Sequence, residues 1–172
     1  KNNTWQQMPG LAKDIAIGAN NDVWIIGTDR QNGGYGIYRW RNNNWSKVDG
    51  AGVQIAVDKS GTPWVINESG NIFQRRSNGS WRQMTGAATD IGIGSNGSIW
   101  ITGTDRQAKG YGIYRWENNN WVKTDGDGEV IAVDRDGKPW VINSDQTIFR
   151  RSSDSTDSVS SVGSWQQKNG LA

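Results

Sequence analysis

The chain has 172 residues, with 19 basic and 17 acidic side chains, 11 tryptophans, 23 glycines, and neither cysteine nor histidine. Disulfides, thiolate nucleophiles, Ser-His-Asp triads and metal sites built on histidine or cysteine are therefore excluded, and no metal or cofactor is expected. A net charge of +2 does not favour nucleic acid as a partner. No apolar run approaches the ~20 residues that a membrane-spanning helix needs, so membrane insertion is not expected.

Four similar units follow one another, at approximately 5–44, 45–80, 81–120 and 121–164, and a partial copy occupies 165–172. The tryptophans that recur at two fixed places in each unit are Trp5, Trp24, Trp45, Trp64, Trp81, Trp100, Trp121 and Trp140. Units one and three share GTDRQ and YGIYRW, whereas units two and four share PWVIN. The true period is therefore a pair of units, and repeats in register predict a repeat architecture.

Each unit is predicted to form a four-stranded antiparallel meander. In the first unit the expected strands are Asp14–Gly18, Asp22–Gly27, Gly36–Arg41 and Asn44–Val48. These segments are short, rich in Ile, Val, Trp and Tyr, and bounded by Gly, Asn and Asp, as strands and tight turns are. No segment shows helical periodicity over a useful length.

The second strand of each unit is apolar on successive residues, so both of its faces must be covered. The first strand carries a small residue where a wedge-shaped sheet would narrow, at Ala16, Ala56, Gly92 and Ala132. Burial of each recurring tryptophan, Trp5 included, removes ~150–250 Å² from water and would hold neighbouring sheets together. These features predict an all-β fold, with residues 1–172 forming one β-propeller domain of four-stranded antiparallel blades.

The repeated unit W-x4-G-x4-I-[AG]-[IV]-[GD]-x4-[VIP]-W, followed by G-x-I-[YF]-x-[RW], resembles the tectonin repeat. The resemblance covers the whole chain and implies a propeller lectin that binds glycans, with one site per blade or blade junction. Family members are often secreted, whereas the lack of cysteine favours the cytosol. The chain starts at Lys1 without a signal peptide, which suggests a processed form or a piece of a longer protein. The compartment therefore stays open, with a secreted or cell-surface location slightly favoured.

The two ends of the chain carry near copies of one segment, WQQMPGLA at Trp5–Ala12 and WQQKNGLA at Trp165–Ala172. Only one of them can fill the closing position of a single ring. Tectonin propellers usually close with five or six blades. Three alternatives follow: a four-bladed ring, a piece of a longer propeller, or a ring completed by self-association with another chain.

The best candidates for a binding site are features that alternate between units. The connections Thr28–Tyr35 and Thr104–Tyr111 are longer than their counterparts and are expected to be loops. The predicted ligand-binding residues are Asp29, Arg30, Gln31, Tyr35, Trp40, Asp105, Arg106, Gln107, Tyr111 and Trp116. Carboxylates, amides and guanidinium groups bind sugar hydroxyls, and an aromatic ring stacks on a pyranose. Alternatively, Asp-Arg pairs staple a long hairpin and the aromatic residues cover it.

These features favour a multivalent, non-catalytic lectin that recognises cell-surface or microbial glycans in defence or agglutination. The alternative is a propeller that acts as a protein-interaction scaffold. An enzyme is not expected, because the acidic residues fall mostly at repeated turn positions and no unique pair of carboxylates stands out. The polar segment Ser152–Ser164 is expected to form a mobile loop tip.

Overall fold

The computed structural model describes residues 4–152 and 165–168, which form four antiparallel sheets of four strands each. The first sheet contains β1 (Asp14–Ile17), β2 (Val23–Gln31), β3 (Gly34–Arg41) and β4 (Asn44–Gly52). The second contains β5 (Gln54–Val57), β6 (Pro63–Ile66), β7 (Asn71–Arg75) and β8 (Trp81–Ala87). The third contains β9 (Asp90–Ile93), β10 (Ile99–Gln107), β11 (Gly110–Glu117) and β12 (Asn120–Gly128). The fourth contains β13 (Val130–Val133), β14 (Pro139–Ile142), β15 (Ile148–Arg151) and β16 (Trp165–Lys168).

Each sheet is a meander in which strands pair in chain order, so the predicted all-β fold of four-stranded antiparallel blades is confirmed. We refer to the sheets as the first to fourth blades. Within the described part of the chain, no helix is long and apolar enough to cross a membrane. The segment predicted as a loop tip at Ser152–Ser164 lies outside the described residues from position 153 onward.

The prediction that Thr28–Tyr35 and Thr104–Tyr111 are loops is wrong, because both segments continue a hairpin. In the first blade Arg30 pairs with Tyr35 and Gln31 with Gly34, leaving a two-residue turn at 32–33. A register shift between Ile26 and Arg30 accommodates the extra residues of β2. The third blade repeats the arrangement. These hairpins therefore project further than those of the second and fourth blades.

The blades are offset from the tryptophan-to-tryptophan units of the sequence. The tryptophans that open units two to five lie in the fourth, outer strand of the preceding blade, at Trp45, Trp81, Trp121 and Trp165. The C-terminal partial copy thus completes the fourth blade through β16. The N-terminal copy lies outside the sheets, because residues 4–13 contain no strand.

The core lies between successive blades, as the apolar second strands predict. At the first junction Trp24, Ile26 and Ile37 of the first blade pack with Ile55 and Val65 of the second. Related clusters fill the next two junctions. The inner tryptophans Trp24, Trp64 and Trp100 are 3%, 2% and 2% exposed. Tryptophan packing between blades is therefore confirmed at these positions.

The outer-strand tryptophans add a polar link that recurs from blade to blade. Their indole Nε1 donates to a backbone oxygen of the preceding outer segment: Trp45 to Pro9 (2.7 Å), Trp81 to Asp49 (2.8 Å), Trp121 to Thr85 (2.8 Å) and Trp165 to Asp125 (3.0 Å). Gly50 follows one such acceptor with φ +96°, and a Cβ there would lie 2.8 Å from the Trp81 indole. Glycine is thus required where each indole passes over the neighbouring strand.

The two ends of the row of blades are open. Ile15 and Ile17 in β1 are 60% and 63% exposed, whereas their counterparts Ile55 and Val57 in β5 are 5% and 7% exposed. At the other end Ile142 is 40% exposed. The described chain therefore forms an arc rather than a closed ring of four blades. Trp5, expected to be packed, is instead fully exposed, because no sheet of the described residues lies against it.

Candidate ligand site at the blade junctions

A cavity of about 390 Å³ opens on the face of the first blade that points away from the second. Its walls include Gly10, Leu11, Thr28, Asp29, Tyr38 and Trp45. The third blade has a matching cavity of about 200 Å³ at its junction with the second blade. Its walls include Gly86, Ala87, Thr104, Asp105, Tyr114 and Trp121. The same chemistry is therefore built twice, one pair of units apart.

A carboxylate with several partners lies at the polar side of the first-blade cavity. Asp29 Oδ2 accepts hydrogen bonds from Lys47 Nζ at 2.7 Å and from Gln31 Nε2 at 3.0 Å. The hydroxyl of Tyr38 is a further hydrogen-bond partner of this carboxylate. In the third blade the donors to Asp105 Oδ2 are Lys123 Nζ at 2.6 Å and Gln107 Nε2 at 3.0 Å. The Asp29 side chain remains 36% exposed, so it can accept further bonds from a ligand.

Glycine makes room for this carboxylate on the neighbouring strand. A Cβ at Gly36 would lie 2.5 Å from Asp29 Oδ2, and a Cβ at Gly112 would lie 2.5 Å from Asp105 Oδ2. Both glycines belong to the repeated YGIYRW segment, in β3 and β11. Since any larger side chain would displace the carboxylate, the glycine and the aspartate form one structural unit.

The electrostatics fix the protonation of each group in the cluster. The hydrogen bond from Lys47 is the main cause that lowers the pKa of Asp29. Burial raises the pKa of Asp105, but the hydrogen bonds from Lys123 and Tyr114 outweigh it and leave that pKa lowered. Burial, and then the adjacent carboxylate, raises the pKa of Tyr38. At neutral pH the cluster thus presents a carboxylate acceptor beside ammonium and phenol donors.

Arg30 and Tyr35 lie on the opposite face of the first blade, towards the second. Arg30 forms an ion pair with Glu68, and its guanidinium carbon lies 5.2 Å from the Tyr35 ring centroid. In the third blade Arg106 pairs with Glu129 at 2.8 Å and lies 5.0 Å from the Tyr111 ring. The structure therefore divides the predicted site residues. Asp29 and Asp105 line the cavities and accept hydrogen bonds from Gln31 and Gln107. Arg30 and Arg106, each beside a tyrosine (Tyr35 and Tyr111), link blades instead.

The acidic partner of the linking arginine changes position between the two copies. Glu68 lies between β6 and β7, and the matching residue in the fourth blade is Ser144. Glu129 precedes β13, and the matching residue before β5 is Val53. Each arginine keeps one carboxylate from the following blade, although the sequence supplies it from a different place. The stapling alternative expected Asp-Arg pairs within the long hairpin, whereas Arg30 and Arg106 pair with glutamates across the blade junction.

The tips of the long hairpins are also fixed by backbone bonds to the next blade. Glu68 N donates to Gly33 O at 3.0 Å, and Ser144 N donates to Lys109 O at 2.9 Å. The tip of each long hairpin is bonded to the next blade, and its base is paired within the sheet. Asp29 and Asp105, between tip and base, therefore lie on a fixed strand rather than on a free loop.

Trp40 and Trp116 stand behind the cavity walls. The Trp40 ring packs edge-on against Trp45 with centroids 4.9 Å apart. The Trp116 ring packs in the same way on Trp121 at 4.8 Å and on Trp64 at 6.1 Å. These two predicted site residues thus orient the tryptophans that line the cavities.

Sequence reasoning missed Tyr38 and Lys47, together with Tyr114 and Lys123 in the third blade. The available signal was alternation, because the residue two places after the outer-strand tryptophan is lysine in the first and third blades. The corresponding residues in the second and fourth blades are Gln83 and Gln167. The tyrosines were visible in YGIYRW, but their position on the aspartate's face depends on strand register.

A separate pair of acids belongs to the inner strands. Asp14 accepts a hydrogen bond from Ile55 N at 2.7 Å, and Asp90 accepts one from Ile131 N at 2.8 Å. Burial raises the pKa of Asp90 to about 6, although its two backbone hydrogen bonds lower it. These two hydrogen bonds link the first blade to the second and the third blade to the fourth. Among the described residues, no group of three or more acidic side chains is placed to hold a metal ion.

Wedge-packed antiparallel meanders with an inner and an outer strand define a protein of the β-propeller class. A tectonin-domain family profile matches residues 1–78 and again 53–171, so the chain belongs to the tectonin family. A comparison with curated proteins finds no match.

Similar solved structures share the fold at low sequence identity. YCF48 bound to D1 peptide is 16% identical with a TM-score of 0.53, over 84% of this chain and 50% of that one. YCF48 from Cyanidioschyzon merolae is 12% identical with a TM-score of 0.56, over 89% and 57%. A protein from Lactobacillus plantarum is 11% identical with a TM-score of 0.56, over 94% and 56%. The chain thus spans a little over half of the length of these propeller-like structures.

Proposed function

We propose that the protein is a multivalent, non-catalytic lectin whose sugar sites are the two polar cavities of the first and third blades. The observation that carries the proposal is the repeated set of carboxylate, tyrosine and tryptophan that lines each cavity, with a lysine bonded to the carboxylate. Membership of the tectonin family supports the same conclusion.

The cavity groups match the chemistry of a saccharide. A vicinal pair of hydroxyls can donate to the Asp29 carboxylate and accept from the Lys47 ammonium, which lie 2.7 Å apart. The aromatic walls, Tyr38 and Trp45, offer apolar surface to the C–H side of a pyranose ring. The cavity of about 390 Å³ has room for one sugar residue with part of its neighbour.

Because the chain carries two equivalent sites, we expect it to bind glycans multivalently. When several weak sites engage one glycan-bearing surface, avidity exceeds single-site affinity by ~10²–10⁴. We therefore expect weak binding of free monosaccharides and strong binding of dense glycan surfaces, with agglutination of cells that carry them.

A glycan array followed by calorimetry on a hit tests the proposal. The variant Asp29→Asn with Asp105→Asn keeps the shape of both sites and removes both charges, and we expect affinity to fall about tenfold or more. The matched control is Arg30→Gln with Arg106→Gln, which alters the opposite face of the same hairpins and should leave affinity unchanged. Binding that ignores the aspartates but follows the arginines would overturn this assignment of the site.

The competing function is a protein-interaction scaffold, and one of the similar propellers is described as bound to a peptide. Pull-downs with and without free sugar separate the two functions. A lectin is eluted by its sugar and loses its targets after deglycosylation. Folded protein that binds no glycan, yet retains a protein partner in excess sugar, would contradict the lectin proposal.

A further inference from the structure

We propose that Asn32 is a site of covalent self-modification, at which the loss of ammonia places a carboxylate in an otherwise uncharged cavity. The cavity has a volume of about 190 Å³ and lies at the junction of the first and second blades. Asn32 and Gly33, the two-residue turn at the tip of the first-blade long hairpin, are part of its lining, and none of the residues that line it is charged. This inference concerns the hairpin tip and does not depend on the lectin proposal.

The sequence Asn32-Gly33 contains both groups that the reaction needs. The Gly33 nitrogen loses its proton and attacks the side-chain carbon Cγ of Asn32. The new N–Cγ bond replaces the bond from Cγ to the amide nitrogen, and ammonia leaves with the proton. Water then opens the cyclic imide: cleavage of the N–Cγ bond gives aspartate, and cleavage of the bond from the same nitrogen to the backbone carbonyl carbon gives isoaspartate. Glycine favours the attack because no Cβ crowds its nitrogen.

The two other Asn-Gly pairs in the described part of the chain are held by hydrogen bonds at both reacting groups. Their glycine N–H groups donate to backbone oxygens, Gly79 to Arg76 at 2.9 Å and Gly97 to Gly94 at 2.8 Å. Their asparagine Oδ1 atoms accept from backbone N–H groups, Asn78 from Ser80 at 3.0 Å and Asn96 from Ser98 at 2.9 Å. Attack in either pair therefore requires that these bonds open first.

The pair at the hairpin tip has neither restraint. Among the hydrogen bonds of the described residues, none involves the Asn32 side chain or the Gly33 N–H. The bond that fixes the tip runs from Glu68 N to Gly33 O at 3.0 Å, so it holds the peptide after Gly33 and leaves the Asn32–Gly33 peptide unbonded. Asn32 is also exposed, which gives water access to the imide. The reacting atoms are therefore available in the folded protein.

The tip of the third-blade long hairpin shows what is missing from the first. Lys109, which corresponds to Gly33, donates its backbone N–H to Asp127 Oδ2 at 2.9 Å. The residue that corresponds to Asp127 in the first blade is Ala51, which has no side-chain acceptor. The first-blade tip thus combines the reactive sequence with the absence of the acceptor that restrains its twin.

The two products should change the blade junction in different ways. Aspartate adds a negative charge to the cavity lining and keeps the length of the main chain. Isoaspartate adds one carbon to the main chain of a turn of two residues, between the paired residues Gln31 and Gly34. Gly33 O can then no longer keep its place opposite Glu68 N. We expect the Glu68 amide hydrogen to exchange faster in protein enriched in isoaspartate, and at an unchanged rate in the Asn32→Asp variant.

Incubation of the folded chain at mildly alkaline pH, in water labelled with heavy oxygen, tests the proposal. Peptide mapping by mass spectrometry, with digestion in unlabelled water, then gives the rate at each asparagine. We expect Asn32 to take up label about tenfold or more faster than Asn78 and Asn96, because their hydrogen bonds must open first. In concentrated urea the three rates should converge. Equal rates in the folded protein, an intact Asn32, or a difference that persists in urea would overturn the proposal.

Matched variants test the role of the missing acceptor. Ala51→Asp gives the first blade the acceptor that Asp127 provides in the third. It should slow the reaction at Asn32 about tenfold, and still do so near ~1 M salt, where its charge is screened. Conversely, Ala108→Asn with Lys109→Gly places the reactive pair in the third blade, where it should stay intact until Asp127→Ala is added. A transplanted pair that reacts rapidly beside Asp127, or no effect of Ala51→Asp, would refute this role.

Discussion

Odd and even blades share one meander but differ at the cavity. In the first blade Tyr38 pairs across the outer strands with Lys47, whereas in the second blade Phe73 pairs with Gln83. The third blade repeats the first, with Tyr114 opposite Lys123, and the fourth repeats the second, with Phe149 opposite Gln167. The long hairpin that carries the aspartate also occurs only in the odd blades. The framework thus tolerates both chemistries, and the polar site is an addition to the odd blades.

The largest expected effect on stability comes from the aspartates of the inner strands, which also occur only in the odd blades. Asp14 and Asp90 occupy a position held by Gln54 and Val130 in the even blades. Burial raises the folded-state pKa of Asp90 from 3.8 to about 6, so ionisation opposes folding. The stability from this group is therefore full below about pH 4, falls as the pH rises to about 6, and stays low above it.

Replacement of this acid should flatten that profile. We expect Asp90→Asn to be more stable than the wild type above pH 6. The free energy of unfolding of the variant minus that of the wild type should be up to about 3 kcal/mol larger there than at pH 4. Urea unfolding at a series of pH values measures it, and Asp14→Asn serves as the comparison. A difference between wild type and Asp90→Asn that does not change with pH would contradict the raised pKa.

The next effect concerns the glycine that accommodates the cavity aspartate. Gly36 and Gly112 occur only in the odd blades, and the even blades have Asn71 and Thr147 at this position. We expect Gly36→Ala to destabilise the protein by about 1–3 kcal/mol, because the added Cβ overpacks the site against the Asp29 carboxylate.

A double-mutant cycle isolates the cause of that loss. Asp29→Ala should restore most of the stability that Gly36→Ala removes, as measured by denaturant unfolding. Asn71→Ala in the second blade, which has no such carboxylate, serves as the control and should show no coupling with Asp29→Ala. Additive effects of Gly36→Ala and Asp29→Ala would refute the idea that they form a unit.

Much of the fold could be predicted from sequence because it depends on local, repeated signals. The four strands of the first blade lie within a few residues of the predicted Asp14–Gly18, Asp22–Gly27, Gly36–Arg41 and Asn44–Val48. The hairpin extension was missed because GTDRQ is polar, and its pairing with the following strand depends on a register shift that composition does not encode. The exposure of Trp5 was missed because repetition indicates a role in the framework but not which neighbour is present.

The candidate site was only partly accessible for a related reason. The aspartates and glutamines were recognisable from their alternation, but the face on which a side chain lies depends on strand register. Arg30 follows Asp29 directly and therefore points to the opposite face, towards Glu68 of the second blade. Side chains alternate between the two faces of a strand, so residues that are adjacent in the sequence, such as Asp29 and Arg30, lie on opposite faces of the first blade.

The smallest expected effect concerns this arginine link, whose carboxylate comes from different positions in the two copies. The third-blade arrangement can be transplanted into the first by Val53→Glu combined with Glu68→Ser. Glu68→Ser alone should lower the melting temperature only slightly, because the pair is exposed and screened by solvent. The double variant should recover the loss at low salt, and the difference should vanish near ~1 M salt, where the screening length is about 3 Å. Failure of Val53→Glu to compensate would mean that Arg30 needs the turn between β6 and β7 itself, and that the two copies are not equivalent at this link.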